Sequence, residues 1–370
     1  MGFLYYAGFI PGLQELAAEI VQKRLDDVII HRLLDGAILF ETSLAYDRLN
    51  FLCFNNIFAV AGLMEHTAAD GTGALEAHIN TVIRNGLLPA AEQIIAHNSK
   101  KFRTFRIVIS RENTPAAIDE KLRLGAEQYI AQLSGLKVDR ARPDAEFWFL
   151  YRHDCTRGVH TPSLQGGVVD CMPENKVPER QFSVFMKRLT MRPSWEKSLH
   201  PGELPPPLAW MLCHLGNLKH GDIVLDPFCG YGSIPHAALK YFHITHCIAC
   251  DSNEKAAAYT AARHKNRPAN FVLHKADFRT LADVLPEKSI DAIITDPPWG
   301  NYQQISAAQL YEDMFRIFNL LLKADGRVVI LGERTDTLLH AAGNRFTARQ
   351  IPILLSGKKA AIYLFSRITP

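Results

Sequence analysis

From about residue 208 onward, short apolar runs alternate with helical segments, and that alternation leaves few folds open. DIVLD, HCIACD, NFVLHKAD, SIDAIITD and GRVVILG each run apolar into a turn or an acid. Apolar strands separated by helices predict a parallel sheet covered on both faces. Ligands of such sheets sit outside the carboxyl ends of the strands. Four of the five ends carry an aspartate: Asp226, Asp251, Asp277 and Asp296. Any one of them alone reads as a helix N-cap. Four at successive strand ends point to a binding site.

The first end is DPFCGYGSIPHAA. Gly230 and Gly232 permit a tight turn and close approach of a ligand to the backbone. A glycine pair of this kind equally opens a dinucleotide fold. Asp251, ending the next strand, supplies the paired acceptors that a ribose diol needs. Together these predict an adenosine-type cofactor without separating NAD from S-adenosylmethionine. Asp226-Pro227 tips the reading. A pyrophosphate wants helix-terminal N–H groups and no carboxylate beside it, whereas an acid suits a cofactor with a cationic amino-acid end. Asp277 is then placed to accept from the adenine amino group.

The fourth end is TDPPWGNY, residues 295–302. Proline lacks an N–H and fixes φ, so Pro297 and Pro298 cannot continue a sheet ladder and hold the backbone extended. The Asp296 carboxylate, the Pro297 carbonyl and the Trp299 ring are thereby presented as one fixed group. The plainer alternative is a rigid turn.

At 370 residues the chain has room for two or three domains. Residues 1–65 read as β-α-β-β-α: a strand at FLYYAGF, a helix at PGLQELAAEIVQKRL, strands at VIIHRLL and GAILFET, and a second helix around LNFLCFNNIFAVAGL. That order suggests a small ferredoxin-like module. Residues 66–165 open on the Gly- and Ala-rich AADGTGALEA, then read as a strand at FRTFRIVISREN, a helix at TPAAIDEKLRLGAEQYIAQLSGL, a turn, and a strand at FWFLYRHD. The GTG at 71–73 follows no buried strand and lacks the Lys-Ser/Thr ending of a phosphate loop. Arg103, Arg106, Arg111, Arg140, Arg142, Arg152 and Arg157 lie here with Phe102, Trp148 and Tyr151. They suit an RNA-binding face; they equally suit a half-buried sheet with solvated arginines.

Residues 166–207 read as a linker that carries the run FMKRLTMRPSWEKSLHPGELPPP. Its Lys187, Arg188 and Arg192 suit phosphate contacts, and a packed interdomain segment is the alternative. Near the other end of the chain, YEDMFRIFNLLLKADG reads as a helix and TARQIPILLSGKKAAIYLFSRI as two strands joined at SGKK.

Composition bounds the rest. A formal charge of +3 is too small to prove a polyanion partner. Seven scattered cysteines suit reduced thiols, and Cys247 and Cys250, three apart on a strand, point to opposite faces, so no metal is expected. No apolar run is long enough to span a bilayer and no basic leader opens the chain, so a soluble, cytoplasmic protein is expected. The absence of a heptad seam favours a monomer.

DPFCGYGS followed by TDPPWG resembles the class I S-adenosylmethionine-dependent methyltransferases that modify exocyclic amino groups, whose motif is Asp or Asn, two prolines and an aromatic residue. SLHPGELPPPLAWML resembles the segment before the cofactor loop in RNA methyltransferases carrying a THUMP domain. Residues from about 70 to 165, above all GLKVDRARPDAEFWF, resemble THUMP itself, and the N-terminal module resembles its ferredoxin-like companion. The resemblance implies an α/β fold with a C-terminal Rossmann-like methyltransferase sheet over 208–370 and N-terminal ferredoxin-like and THUMP α+β domains. It also implies methyl transfer from S-adenosylmethionine to the exocyclic N2 amino group of a guanosine in tRNA.

By the same resemblance, Asp226, Phe228, Gly230, Gly232, Asp251, Asp277 and Phe278 hold the cofactor. Asp296 and the Pro297 carbonyl receive hydrogen bonds from the target amine, and Trp299 stacks on the base. Arg140, Arg142, Lys187, Arg188 and Arg192 contact RNA. The chain departs from relatives that read GSGT followed shortly by a glutamate: it carries Tyr231, Ser233, Pro235, His236 and Ala237. Three further readings stay open at this point. One is an adenine-N6, rRNA or DNA amino-methyltransferase; another is a non-catalytic RNA-binding scaffold. A dehydrogenase is disfavoured by Asp226 and DPPW.

Overall fold

The structure is a computed structural model that describes residues 2–45, 49, 51–66, 71–85, 94–95, 102–112, 114–154, 180–189, 199–266, 269–299, 306–333 and 336–368. The chain divides into two compact units, Met1–Phe9 with Gln14–Arg192, and Ile10–Leu13 with Pro193–Pro370. Among the described residues no helix is long and apolar enough to cross a membrane, and no group of three or more His, Cys, Asp or Glu is arranged to hold a metal ion.

The first unit runs β1 (Phe3–Gly8), α1 (Gln14–Arg24), β2 (Ile29–Leu34), β3 (Ala37–Thr42), β4 (Asn56–His66), α2 (Gly71–Asn85), β5 (Thr104–Arg111), β6 (Thr114–Pro115), α3 (Glu120–Ser134), β7 (Lys137–Val138), β8 (Ala145–Asp154) and β9 (Arg180–Arg188). Its nine strands form one sheet in the order β2-β3-β1-β4-β9-β8-β5-β6, with β7 also on β5. β5 and β8 are parallel, joined through α3, which Asp119 caps by accepting from the Lys121 and Leu122 N–H groups.

Two expectations are corrected by the strands of this sheet. The second helix expected around LNFLCFNNIFAVAGL is the strand β4, its Ile57 to Ala61 run buried between β1 and β9. A short apolar run reads alike as buried helix or buried strand, and neighbours on both edges decide it. Residues 180–188, expected inside the linker, are β9, paired antiparallel with both β4 and β8. The strand is buried on both faces: Phe182, Val184 and Met186 pack into one apolar cluster and Phe185 into another.

The second unit runs α4 (Pro206–Leu215), β10 (Ile223–Asp226), α5 (Ser233–Tyr241), β11 (His246–Cys250), α6 (Glu254–Arg263), β12 (Phe271–His274), α7 (Leu281–Val284), β13 (Ile290–Thr295), α8 (Ala307–Leu321), β14 (Leu322–Glu333), α9 (Thr337–Ala342), β15 (Phe346–Leu355) and β16 (Lys358–Arg367). The strand order is β12-β11-β10-β13-β14-β16-β15. Each neighbouring pair from β12 to β14 is parallel, and β16 lies antiparallel between β14 and β15. The order in which successive strands are added to the sheet reverses at β10 and β13, and the crevice outside their carboxyl ends is where such a sheet takes a ligand.

The expected hairpin is present: Leu355 faces Lys358, and Ser356 and Gly357 both have positive φ, the backbone a two-residue turn of this twist requires. Cys247 and Cys250 on β11 are buried, as are Cys53, Cys213 and Cys229, whereas Cys155 and Cys171 lie outside the described residues. Helix α8 buries Tyr311, Met314, Phe315, Phe318 and Leu321, the spacing of one helical face. Phe315 is the hub, with ring centroids 5.9 Å from Phe318, 5.4 Å from Phe346 and 5.0 Å from Phe365. Phe315→Ala is expected to cost about 3–5 kcal/mol in urea unfolding of the whole chain.

Candidate active site

The carboxyl ends of β10, β11 and β13 converge through their aspartates. Asp226 ends β10 and is buried. Its Oδ1 accepts from the Thr295 hydroxyl at 2.8 Å and the Phe228 N–H at 3.3 Å, while its Oδ2 is buried with no partner among the described residues. Burial pushes the Asp226 carboxyl up to about 8; the Thr295 and Phe228 hydrogen bonds oppose this, and the charges of Asp251 and Asp296 add to it. Among the described residues no Lys or Arg pairs with Asp226, Asp251 or Asp296. An uncompensated group of this kind fits a ligand with a cationic end.

The loop after Asp226 is shaped by its glycines. Gly230 and Gly232 have φ of +49° and +79°. A Cβ on Gly232 would lie 2.9 Å from Thr260, so close packing of the loop on α6 excludes a side chain there. A Cβ on Gly230 would meet nothing within 4 Å, so that face of the loop is open. The Gly230 N–H donates to Asp251 Oδ2 at 2.7 Å and its carbonyl accepts from the Thr260 hydroxyl at 2.8 Å. Asp251 also accepts from the Asn253 N–H at 2.8 Å, so its carboxylate pins the glycine loop to the end of β11.

The HPGEL segment supports the same loop. His200 stacks on Tyr231, centroids 4.2 Å apart, and Tyr259 packs edge-on against both. Glu203 accepts from Arg263 Nη1 at 2.9 Å, from the His200 N–H at 3.1 Å and from the Ser233 hydroxyl at 3.4 Å. Arg263 reaches on to the Tyr231 carbonyl at 3.1 Å. The sequence alone did not single out Glu203, Arg263, Tyr259 or Thr260, and it showed Thr295 only as the first residue of TDPPWG, without its partner Asp226. Glu203 carries a signal of the same kind, since it sits in SLHPGELPPPLAWML.

Asp277 stands apart from the other three acids. It caps the short turn Phe278–Thr280 by accepting from the Arg279 N–H at 2.9 Å, and it pairs with the Arg279 guanidinium at 3.0 Å. Phe278, expected beside a cofactor, has its ring in the core: it is buried and packs on Phe228 at 4.8 Å. Phe228 is only partly buried against that core.

At the end of β13, Asp296 and Trp299 are both half-buried and Pro297 is buried. The Trp299 indole N–H donates to Asp296 Oδ1 at 2.8 Å. Burial pushes the Asp296 carboxyl up to about 7, and the indole hydrogen bond opposes the rise. A carboxyl that titrates near neutrality in a crevice is able to accept hydrogen bonds and to take up a proton at ordinary pH.

Most of the basic residues expected on an RNA face are engaged within the protein. Lys187 is buried on β9; its Nζ donates to the Ile94 and Ile95 carbonyls at 3.1 and 3.3 Å, and desolvation lowers it to about 8. Arg188 donates to Glu146 at 2.8 Å and Asn56 at 2.6 Å, and Arg106 also pairs with Glu146. Arg140 donates to Glu127 from two nitrogens at 2.9 Å and to Glu120 at 3.0 Å. Arg142 is exposed, and Arg157 and Arg192 lie outside the described residues. The expectation for Lys187 is corrected: β9 lies between β4 and β8 with both faces covered, and Lys187 is buried there with its amine on backbone carbonyls.

Comparison with known proteins defines the class. Residues 193–355 match the UPF0020 family, described as RMKL-like, methyltransferase domain. The tRNA (guanine(10)-N2)-dimethyltransferase of Methanocaldococcus jannaschii is 34% identical over 133 residues, covering 34% of this chain and 36% of that protein. A Methanothermobacter thermautotrophicus protein of the same name is 30% identical over 193 residues, 51% of this chain and 49% of that protein. The chain thus spans about a third to a half of these two relatives. A probable tRNA (guanine(10)-N2)-dimethyltransferase of Methanothermococcus thermolithotrophicus is 32% identical over 137 residues, 35% of this chain and 82% of that protein. The crystal structure of TrmN from Thermus thermophilus superposes with a TM-score of 0.74 at 21% identity, covering 99% of this chain and 100% of that one. The structure of SMU.472 complexed with SAH superposes with a TM-score of 0.66 at 13% identity, covering 100% of this chain and 99% of that one.

The fold is therefore that of the class I methyltransferases. The chain belongs to the methyltransferase family that includes these guanine-N2 enzymes.

Asp226 yields a direct test of the site's electrostatics. Its folded carboxyl titrates at about 8, far above its unfolded value, so between the two the folded chain holds an extra proton. Its contribution to stability is therefore lost as pH rises toward 8. Asp226→Asn mimics the neutral acid and is expected to raise the thermal midpoint of the ligand-free protein, more at about pH 8.5 than at about pH 5.5, read by scanning calorimetry.

Proposed function

We propose that this chain transfers a methyl group from S-adenosylmethionine to the exocyclic N2 amino group of a guanosine in tRNA. The observation that carries the reading is the Asp296 carboxylate at the switch-point end of β13, held beside Pro297 and titrating near neutrality. The names of the relatives, which act on guanine N2 in tRNA, support the substrate class.

When bound, the cofactor supplies an electrophilic methyl group on a sulfonium. In this reading its cationic amino-acid end lies toward Asp226, whose unpartnered Oδ2 suits it, and its ribose lies toward Asp251. The open face of Gly230 admits it closely. Asp277 is assigned to the adenine end through the acceptor capacity that its pairing with Arg279 leaves.

The chain's own part in the reaction is to prepare the nucleophile. An exocyclic amine is a weak nucleophile because its lone pair is delocalised into the base. Asp296 and the Pro297 carbonyl accept the two amine hydrogens and favour the pyramidal, electron-rich nitrogen that develops on attack. Fixed acceptors do this without reorganising, because the paired prolines already hold them. As the N–C bond forms, the methyl–sulfur bond would break with its electron pair left on sulfur as a neutral thioether, and the surplus proton on nitrogen would leave to Asp296 or to water. The first unit, read as ferredoxin-like and THUMP modules over 1–65 and 66–165, is assigned to gripping folded RNA by shape and phosphate contacts, with Arg142 as a surface candidate. The reading places the protein in the cytoplasm as a monomer.

The test is incubation with labelled S-adenosylmethionine and, separately, unmodified tRNA, rRNA fragments and duplex DNA, followed by nucleoside analysis. Label in N2-methylguanosine of tRNA is the expected result; label in adenine or in DNA would replace the substrate assignment. Asp296→Ala is expected to lower turnover by about 100-fold or more while changing cofactor affinity little, since it removes a group that acts on the amine. Because Asp296 must be ionised to accept, the wild-type rate is expected to rise with pH through about 7.

A further inference from the structure

A stacking role for Trp299 leaves unexplained why its indole edge is turned on Asp296. The two residues are three apart, with Pro297 and Pro298 between them, so the backbone fixes where the ring can go. Nε1 lies 2.8 Å from Oδ1, and among the described residues no donor reaches Oδ2. We propose that Trp299 is a positioning residue, whose indole N–H keeps the Asp296 carboxylate in its ionised, accepting form and leaves Oδ2 free for the target amine. The proposal rests on the amino-methyltransferase reading of the site.

The surroundings of Asp296 make that contact matter. From β10 it faces the buried Asp226 carboxylate, and from α8 the Tyr311 hydroxyl, which in turn faces Glu333 of β14 and Tyr363 of β16. Those neighbours are acids or phenols, and none is a cation. Burial pushes Asp296 toward its neutral form, which would present an O–H where the amine needs a lone pair. Among the described residues the Trp299 N–H is the donor that opposes this. A ring at this position could stack on a base without any N–H, so the two roles separate by substitution.

Trp299→Phe keeps an aromatic face and removes the donor. In single-turnover methyl transfer, the acid limb of its rate profile is expected to lie at higher pH than in the wild type. The loss is therefore expected to be at least about threefold larger at pH ~6.5 than at pH ~8.5. A loss equal at every pH would assign Trp299 to stacking alone and overturn the proposal. A second measurement needs no turnover: the Trp299 indole ¹H–¹⁵N resonance followed by NMR over about pH 5 to 9, in wild type and in Asp296→Asn. A neutral-range titration seen in the wild type and lost in Asp296→Asn is expected; an indole resonance that ignores pH in the wild type would sink the contact. An indole that titrates in a protein with no turnover on any nucleic acid would instead count against the amino-methyltransferase reading.

Discussion

The hydrogen bond from the Thr295 hydroxyl to Asp226 joins two strand ends that lie 69 residues apart in the chain. It exists because β10 and β13 are neighbours in the sheet, Val224 against Ala292 and Leu225 against Ile293. That adjacency is the switch point of the doubly wound topology, and it sets the glycine loop beside the DPPW segment. The rest of the site depends on it. Asp251 ties the loop to β11, and Glu203 and Arg263 brace it from HPGEL and α6.

The resulting crevice is electrostatically unfavourable when taken alone. Two carboxyls, Asp226 and Asp296, are desolvated and pushed up, and Asp251 adds like charge. A stable protein seldom leaves buried acids without cations unless a ligand supplies the compensation. The sulfonium and ammonium of the proposed cofactor would do so, and a proton near neutrality serves Asp226 until then. Trp299 acts in the opposite sense on Asp296, favouring the charged form at the position where an acceptor is wanted.

The first unit carries a different lesson about charge. Its sequence is rich in arginine, yet Arg106 and Arg188 share Glu146, and Arg140 is held by Glu127 and Glu120. Lys187 is drawn inward to backbone carbonyls. These cations are paired with acids of the sheet and its helix or with backbone carbonyls. Arg142 is exposed.

What the sequence by itself determined is the local and the repetitive. The β/α alternation after residue 208, the aspartates at strand ends, the positive-φ glycines of GYG and the SGKK turn were all legible, because period and turn chemistry are written in neighbouring residues. What only the tertiary structure decided is where partners distant in sequence meet. NIFAVAGL is a strand because β1 and β9 flank it, 180–188 is a strand because β4 and β8 do, and Lys187 is buried because β9 is central. The depth of Asp226 and the turn of the Trp299 edge onto Asp296 belong to the same class. Burial and hydrogen-bond partnership are properties of a site's surroundings, and no local pattern carries them.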